Sequence, residues 1–76
     1  MYQSVVTIEG MSCGMCEAHI SDVIRSTFPD AKKVKASHRK SQATFRTDYV
    51  PDRDTVREAI DKTGYRFVDI VTEERS

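Results

Sequence analysis

Seventy-six residues suffice for one hydrophobic core and one site, and are too few for an enzyme with separate substrate and cofactor lobes. An apolar share of 38% interleaved with 32% charged residues, with only 3 Gly and 2 Pro, excludes a disordered or low-complexity chain. Twelve basic side chains against twelve acidic ones give a formal net charge of zero, which removes the overall basic footprint of a dedicated nucleic-acid binder.

Gln3 to Glu9 carries the β-branched run Val5, Val6, Thr7 and Ile8 and ends at Gly10, which predicts a first strand with Val6 and Ile8 on one face. Ile20, Val23, Ile24 and Thr27 recur at three- and four-residue steps, so Gly14 to Thr27 reads as an amphipathic helix stopped by Phe28-Pro29-Asp30. Val34 and Ala36 alternate with polar residues from Lys32 to Ser37, as do Ala43 and Phe45 from Gln42 to Thr47. With His38-Arg39-Lys40-Ser41 between them, these two stretches form a hairpin. Pro51-Asp52 opens a second helix, capped by Asp52 or Asp54, with Val56, Ala59, Ile60 and Thr63 as its stripe before Gly64. Tyr65 to Val71 is the last strand, although Phe67, Val68, Ile70 and Val71 do not alternate cleanly, so its inward face is not fixed. Met1-Tyr2 and Thr72 to Ser76 are expected to fray.

The order β-α-β-β-α-β is that of an α+β, ferredoxin-like sandwich, a four-stranded antiparallel sheet with two helices on one face. Lys33, Lys35, Thr44 and Arg46 then belong to the open face. Tracing the strands up and down brings the loop 10–14, the turn 38–41 and Gly64-Tyr65 to one end of the sheet. No apolar run approaches the roughly 20 residues of a membrane helix, and Met1-Tyr2-Gln3-Ser4 has neither the charged start nor the apolar stretch of a signal peptide. The expectation is one domain over residues 1–76, cytoplasmic, without membrane insertion.

Cys13 and Cys16 are the whole cysteine inventory. Three residues apart, they close almost no loop, so a stapling disulfide has little to offer and metal or redox chemistry in a reducing compartment is the better reading. A loop and the first turn of a helix place both sulfurs beside backbone N–H groups and the positive end of the helix dipole, which favours thiolate. Lowered thiol pKa serves metal binding and disulfide exchange alike; the coordination count separates them. Structural zinc needs four ligands and catalytic zinc three, whereas the chain has two thiolates and two histidines in unrelated segments. Two soft thiolates suit Cu(I), or in its place Hg(II) or Cd(II), and leave room for an incoming thiolate in an exchange reaction.

Gly10-Met11-Ser12-Cys13-Gly14-Met15-Cys16 resembles the G-M-x-C-x-x-C signature of the heavy-metal-associated domains, the family of bacterial copper chaperones and of the amino-terminal modules of copper-transporting P-type ATPases. Gly64-Tyr65 before the last strand extends the resemblance over nearly the whole chain. The resemblance implies that Cys13 and Cys16 are Cu(I) ligands, that Met11 is an apolar prop under the loop, and that Tyr65 shields the site. It also implies delivery of Cu(I) by ligand exchange to a copper-transporting P-type ATPase or a copper-responsive regulator, a copper-bridged homodimer as an optional state, and no enzymatic chemistry. Glu17 departs from the pattern, a carboxylate where the family often has an apolar residue.

The rival readings are an amino-terminal domain of a copper or heavy-metal ATPase and, in another class, a thiol-disulfide redox protein. Met1 directly before the first strand and the short tail Glu73-Glu74-Arg75-Ser76 point to a free-standing chaperone. Neither cysteine falls on the apolar stripe of the helix. Met15 reads as a solvent-facing loop residue, with soft third ligand as its alternative; His19 and His38 read as surface histidines, with metal ligation or dimer bridging as theirs. Charge is uneven: residues 1–31 carry net −3, whereas Lys32, Lys33, Lys35, Arg39, Lys40 and Arg46 give +6 with no acid among them. That segment is either a solvated sheet face or a surface that steers the chain to an acidic partner. No aromatic residue interleaves with its cations except Phe45, assigned to the core face, so nucleic acid is not expected as a partner.

Overall fold

The computed structural model describes residues 1–12 and 14–75. Alternating β-branched residues form strand β1 (Tyr2–Glu9), and helix α1 (Gly14–Thr27) follows. The hairpin is strand β2 (Lys32–Ser37) and strand β3 (Gln42–Thr47); helix α2 (Arg53–Asp61) and strand β4 (Arg66–Glu74) complete the chain. The strands lie in the order β2-β3-β1-β4 with every neighbouring pair antiparallel. This is the ferredoxin-like arrangement that the element order predicts.

The period-two patterns place the core. Val6 and Ile8 from β1, Ala43 and Phe45 from β3 and Phe67 from β4 are buried against Ile20 and Ile24 of α1 and Val56 and Ile60 of α2. Each large aliphatic or aromatic side chain in such a cluster contributes about 1.5–3 kcal/mol. Phe28, just past α1, stacks on Phe45 at a centroid separation of 5.4 Å and 18° between planes, so the residue that ends the helix also enters the core. Asp52 is the cap of α2, its Oδ2 accepting from the N–H of Thr55 at 3.1 Å. The helix ends at Asp61, two residues short of the end of the predicted stripe, and Thr63 lies beyond it with its hydroxyl donating to the Ile60 carbonyl at 2.5 Å.

One expectation, on the chain ends, is overturned. The ends do not fray where predicted: Tyr2 pairs with Glu74, Gln3 with Glu73 and Ser4 with Thr72, and the Arg75 N–H donates to the Met1 carbonyl at 2.6 Å. A hydroxyl pair, from buried Ser4 Oγ to half-buried Thr72 Oγ1 at 3.0 Å, holds this extension, which hydropathy does not reveal. Ser76 lies outside the described residues. The inward face of β4, open in the sequence, is set by an irregularity in its pairing. Thr7 pairs with Asp69 and Ile8 with Phe67, so Val68 is an extra residue, a β-bulge. The bulge puts Phe67 and Ile70 against the core although they are three apart, which is why no simple alternation was readable.

Three contacts gather one end of the sheet. The Ile8 N–H donates to the Ser41 carbonyl at 2.8 Å, the Tyr65 ring covers Gly10, and His38 reaches Glu17. The loop after β1, the hairpin turn and the segment before β4 are therefore neighbours, as the strand tracing predicts.

Candidate metal site

Gly10 leaves β1 with φ of +101° and Gly64 leaves α2 with φ of +92°, conformations that glycine adopts without the penalty a β-carbon brings. Met11 is buried in the core cluster, so the loop is pinned from below by an apolar side chain. Ser12 and Gly14, the chain neighbours of Cys13, are exposed. Cys13 itself lies outside the described residues.

Cys16 sits in the first turn of α1, half-buried and packed against the core cluster. That differs from the sequence expectation, which kept both cysteines off the apolar stripe. The reason is the helix start: four residues before Ile20, Cys16 lies above it on the inward side of the helix. Met15 belongs to the helix and not to a loop, and at 83% exposure it is the most exposed large apolar side chain in the described chain. The first turn thus presents one inward sulfur and one outward thioether.

Tyr65 is half-buried and packs on the core. Its ring meets that of His19 edge to face at 5.8 Å and lies within van der Waals contact of Gly10. It bridges the loop entrance and the second turn of α1, the position the family resemblance assigns to a shield. His19 is accordingly a surface histidine in contact with an aromatic ring. His38 is engaged elsewhere: Glu17 Oε2 accepts from its backbone N–H at 2.8 Å and meets its Nδ1 at 2.7 Å. The backbone N–H and then the ring of His38 hold the Glu17 carboxyl below its ordinary value of 4.5, with a smaller contribution from the charge of Arg39. Among the described residues no three of His, Cys, Asp and Glu converge as a metal cluster.

Glu17 and His38 are 21 residues apart, and their union is the part of the site that sequence reasoning missed. The departure of Glu17 from the family pattern and the presence of a histidine in the facing turn were the available signals. The basic segment takes its expected place. Arg39 and Lys40 occupy the exposed tip of the turn beside Glu17, and Lys32, Lys33 and Lys35 are exposed on β2. Among the described residues none of these five cations, nor Arg46, is paired with a carboxylate.

Against known proteins, the family model of the heavy-metal-associated domain matches residues 5–66. The chain belongs to that family. The matched span runs from the middle of β1 to the first residue of β4 and so includes both cysteines and Gly64-Tyr65. Solved structures agree on the fold of this heavy-metal-associated domain. It is similar to a CopZ metallochaperone, with 24% identity, a TM-score of 0.72 and coverage of 87% of this chain and 98% of the other. It is also similar to a copper binding domain from HMA7, a P-type ATPase, with 18% identity, a TM-score of 0.77 and coverage of 93% and 95%. A heavy metal binding protein from Thermotoga maritima gives 18% identity, a TM-score of 0.68 and coverage of 90% and 94%. No curated protein matches the sequence. No helix among the described residues is long and apolar enough to cross a membrane.

Proposed function

We propose that this heavy-metal-associated domain is a Cu(I) carrier. One Cu(I) is held by the thiolates of Cys13 and Cys16 and passed by ligand exchange to a thiolate pair on a copper-transporting P-type ATPase or a copper-responsive regulator. The observation that carries this reading is the C-x-x-C pair at the start of α1 in a chain of this family, with Cys16 anchored on the core while Ser12, Gly14 and Met15 around the pair are exposed. An anchored sulfur beside an open approach lets a third thiolate reach the metal before either of the first two leaves. Soft sulfur donors favour Cu(I) over harder divalent ions, and a two-coordinate ion leaves a position for the incoming ligand. The chemistry moves the metal between sulfurs and makes or breaks no covalent bond of a substrate. The carrier works in the cytoplasm, where thiols stay reduced, and residues 1–76 act as one unit.

The alternative class is a thiol-disulfide oxidoreductase. A Cu(I) competition titration run beside a disulfide-reductase assay decides between them. Tight one-to-one copper binding without turnover supports the carrier, and catalytic disulfide reduction independent of copper overturns it.

A further inference from the structure

The turn 38–41 is fastened to both flanks of the cysteine loop. On the entering side the last turnward N–H of β1, that of Ile8, donates to the Ser41 carbonyl at 2.8 Å. On the leaving side Glu17 Oε2 takes the His38 N–H at 2.8 Å and its Nδ1 at 2.7 Å. One carboxylate oxygen accepting two N–H groups is a charge-assisted arrangement, roughly twice as strong as its neutral counterpart, and for Nδ1 to donate, the ring must carry its proton there.

What this clamp holds follows from burial along α1. Of residues 14 to 19, Cys16 and Glu17 are the two that are not exposed; the first core anchor of the helix is Ile20. The turn bearing Cys16 is therefore secured by the packing of its own sulfur and by the carboxylate next to it. Without Glu17 that turn would lose its tie to the hairpin and lean on the packing of Cys16 and on Ile20, and helix ends with fewer ties fray more readily.

We propose that Glu17 is a positioning residue for the metal site: by gripping the backbone and ring of His38 it clamps the first turn of α1 to the hairpin turn and fixes the Cys16 sulfur before the metal arrives. The proposal rests on the carrier reading. Ordering the ligand turn in advance removes that cost from metal binding, so the clamp raises affinity without touching the ion. Glu17 is not a ligand in this account, and its negative charge is engaged by His38 instead of facing the thiolates.

Cu(I) affinity measured by competition with bicinchoninate, on the full chain, tests this. Wild type, E17A, E17Q, H38A and D22A are compared, with thermal melts of each. E17A is expected to bind Cu(I) about tenfold more weakly, the lower end of what losing an outer-shell partner costs. E17Q keeps an oxygen that accepts the His38 N–H and is expected to recover most of that loss. D22A, which removes the same charge from an exposed position on the same helix, is expected to match wild type. E17A within twofold of wild type, or E17Q as weak as E17A, would overturn the clamp. Should E17A fail to fold, H38A, which deletes the ring donor and keeps the carboxylate, carries the comparison: a loss of about threefold or more supports the clamp, and unchanged affinity overturns it. Failure of the wild type itself to bind Cu(I) tightly would sink the carrier reading and is told apart from these outcomes by that control.

Discussion

Tyr65 lies across Gly10, with its Cδ1 3.3 Å from the point that a β-carbon on that glycine would occupy. Gly10 also has φ of +101°, so alanine there meets both a strained backbone and the Tyr65 ring. Gly10→Ala is expected to cost about 1–3 kcal/mol, lowering Tm by roughly 4–8 °C per kcal/mol in a domain of this size. Gly14 has no atom within 4 Å of its β-carbon position and no positive φ, so Gly14→Ala is expected to leave Tm unchanged or slightly raised. Thermal melts followed by circular dichroism check the pair, and equal melting points for the two variants would contradict the contact.

Cys13→Ser and Cys16→Ser are each expected to abolish tight Cu(I) binding, because a hydroxyl is a hard donor and a poor partner for Cu(I). The two should differ in stability. Cys16 packs on the core, and its replacement is expected to lower stability by about 1 kcal/mol. Chelator competition gives the first measurement and urea unfolding the second. Tight binding retained by the double variant would refute the ligand assignment.

A lone thiolate pair holds Cu(I) far more tightly than Zn(II), whose tetrahedral shell needs further donors. His38 is tied to Glu17 and His19 lies against Tyr65, so neither is poised to complete such a shell. Parallel titrations with the two ions at matched pH are expected to rank Cu(I) above Zn(II) by several orders of magnitude; equal affinities for the monomer would mean that one of these histidines swings in.

The cationic tip of the hairpin sits beside the first turn of α1, close enough for the charge of Arg39 to act on Glu17. Reversing Arg39 and Lys40 to Glu is expected to slow Cu(I) transfer to an acidic recipient severalfold at low salt. The difference should shrink toward 0.15 M, where the screening length is about 8 Å. Stopped-flow transfer at a series of salt concentrations measures it. Copper affinity of the isolated chain should not change, since neither side chain is a ligand.

Arg53 on α2 reaches Asp69 on β4 at 2.6 Å. This hydrogen bond, followed by one from the Ile70 backbone, holds the Asp69 carboxyl below its ordinary value of 3.8. A carboxyl whose pKa is lower in the folded chain adds stability that is fully present above 3.8 and is lost as pH falls through the native value. Asp69→Asn lacks that increment. The wild type is therefore expected to melt above the variant at neutral pH, with the gap closing in the acid limb below 3.8. A gap that persists unchanged into strong acid would show that the pair is not the cause.

Most of the fold was legible because its determinants are local. The stripe Ile20, Val23, Ile24 and the alternation Ala43, Phe45 each name an element and a face, and α1, β2 and β3 have the predicted bounds. What stayed hidden depends on partners distant in the chain. Val68 is an extra residue only in relation to Thr7 and Ile8 across the ladder, and Thr72 is ordered by a hydroxyl on Ser4. For the site, the spacing of Cys13 and Cys16 already suggests the chemistry, and the topology brings the hairpin turn alongside. That a carboxylate at 17 would take hold of the backbone at 38 depends on side-chain reach, which neither hydropathy nor spacing encodes.

Both outer strands of the sheet are interrupted. Lys33 takes φ of 53° where the register of β2 on β3 shifts between Lys32 and Lys35, and β4 bulges at Val68. An open four-stranded sheet invites a second copy to zip onto its edge, and a bulge beside lysines is one way that natural proteins refuse the invitation. Copies of this chain are accordingly expected to stay apart at high concentration instead of stacking edge to edge into ribbons.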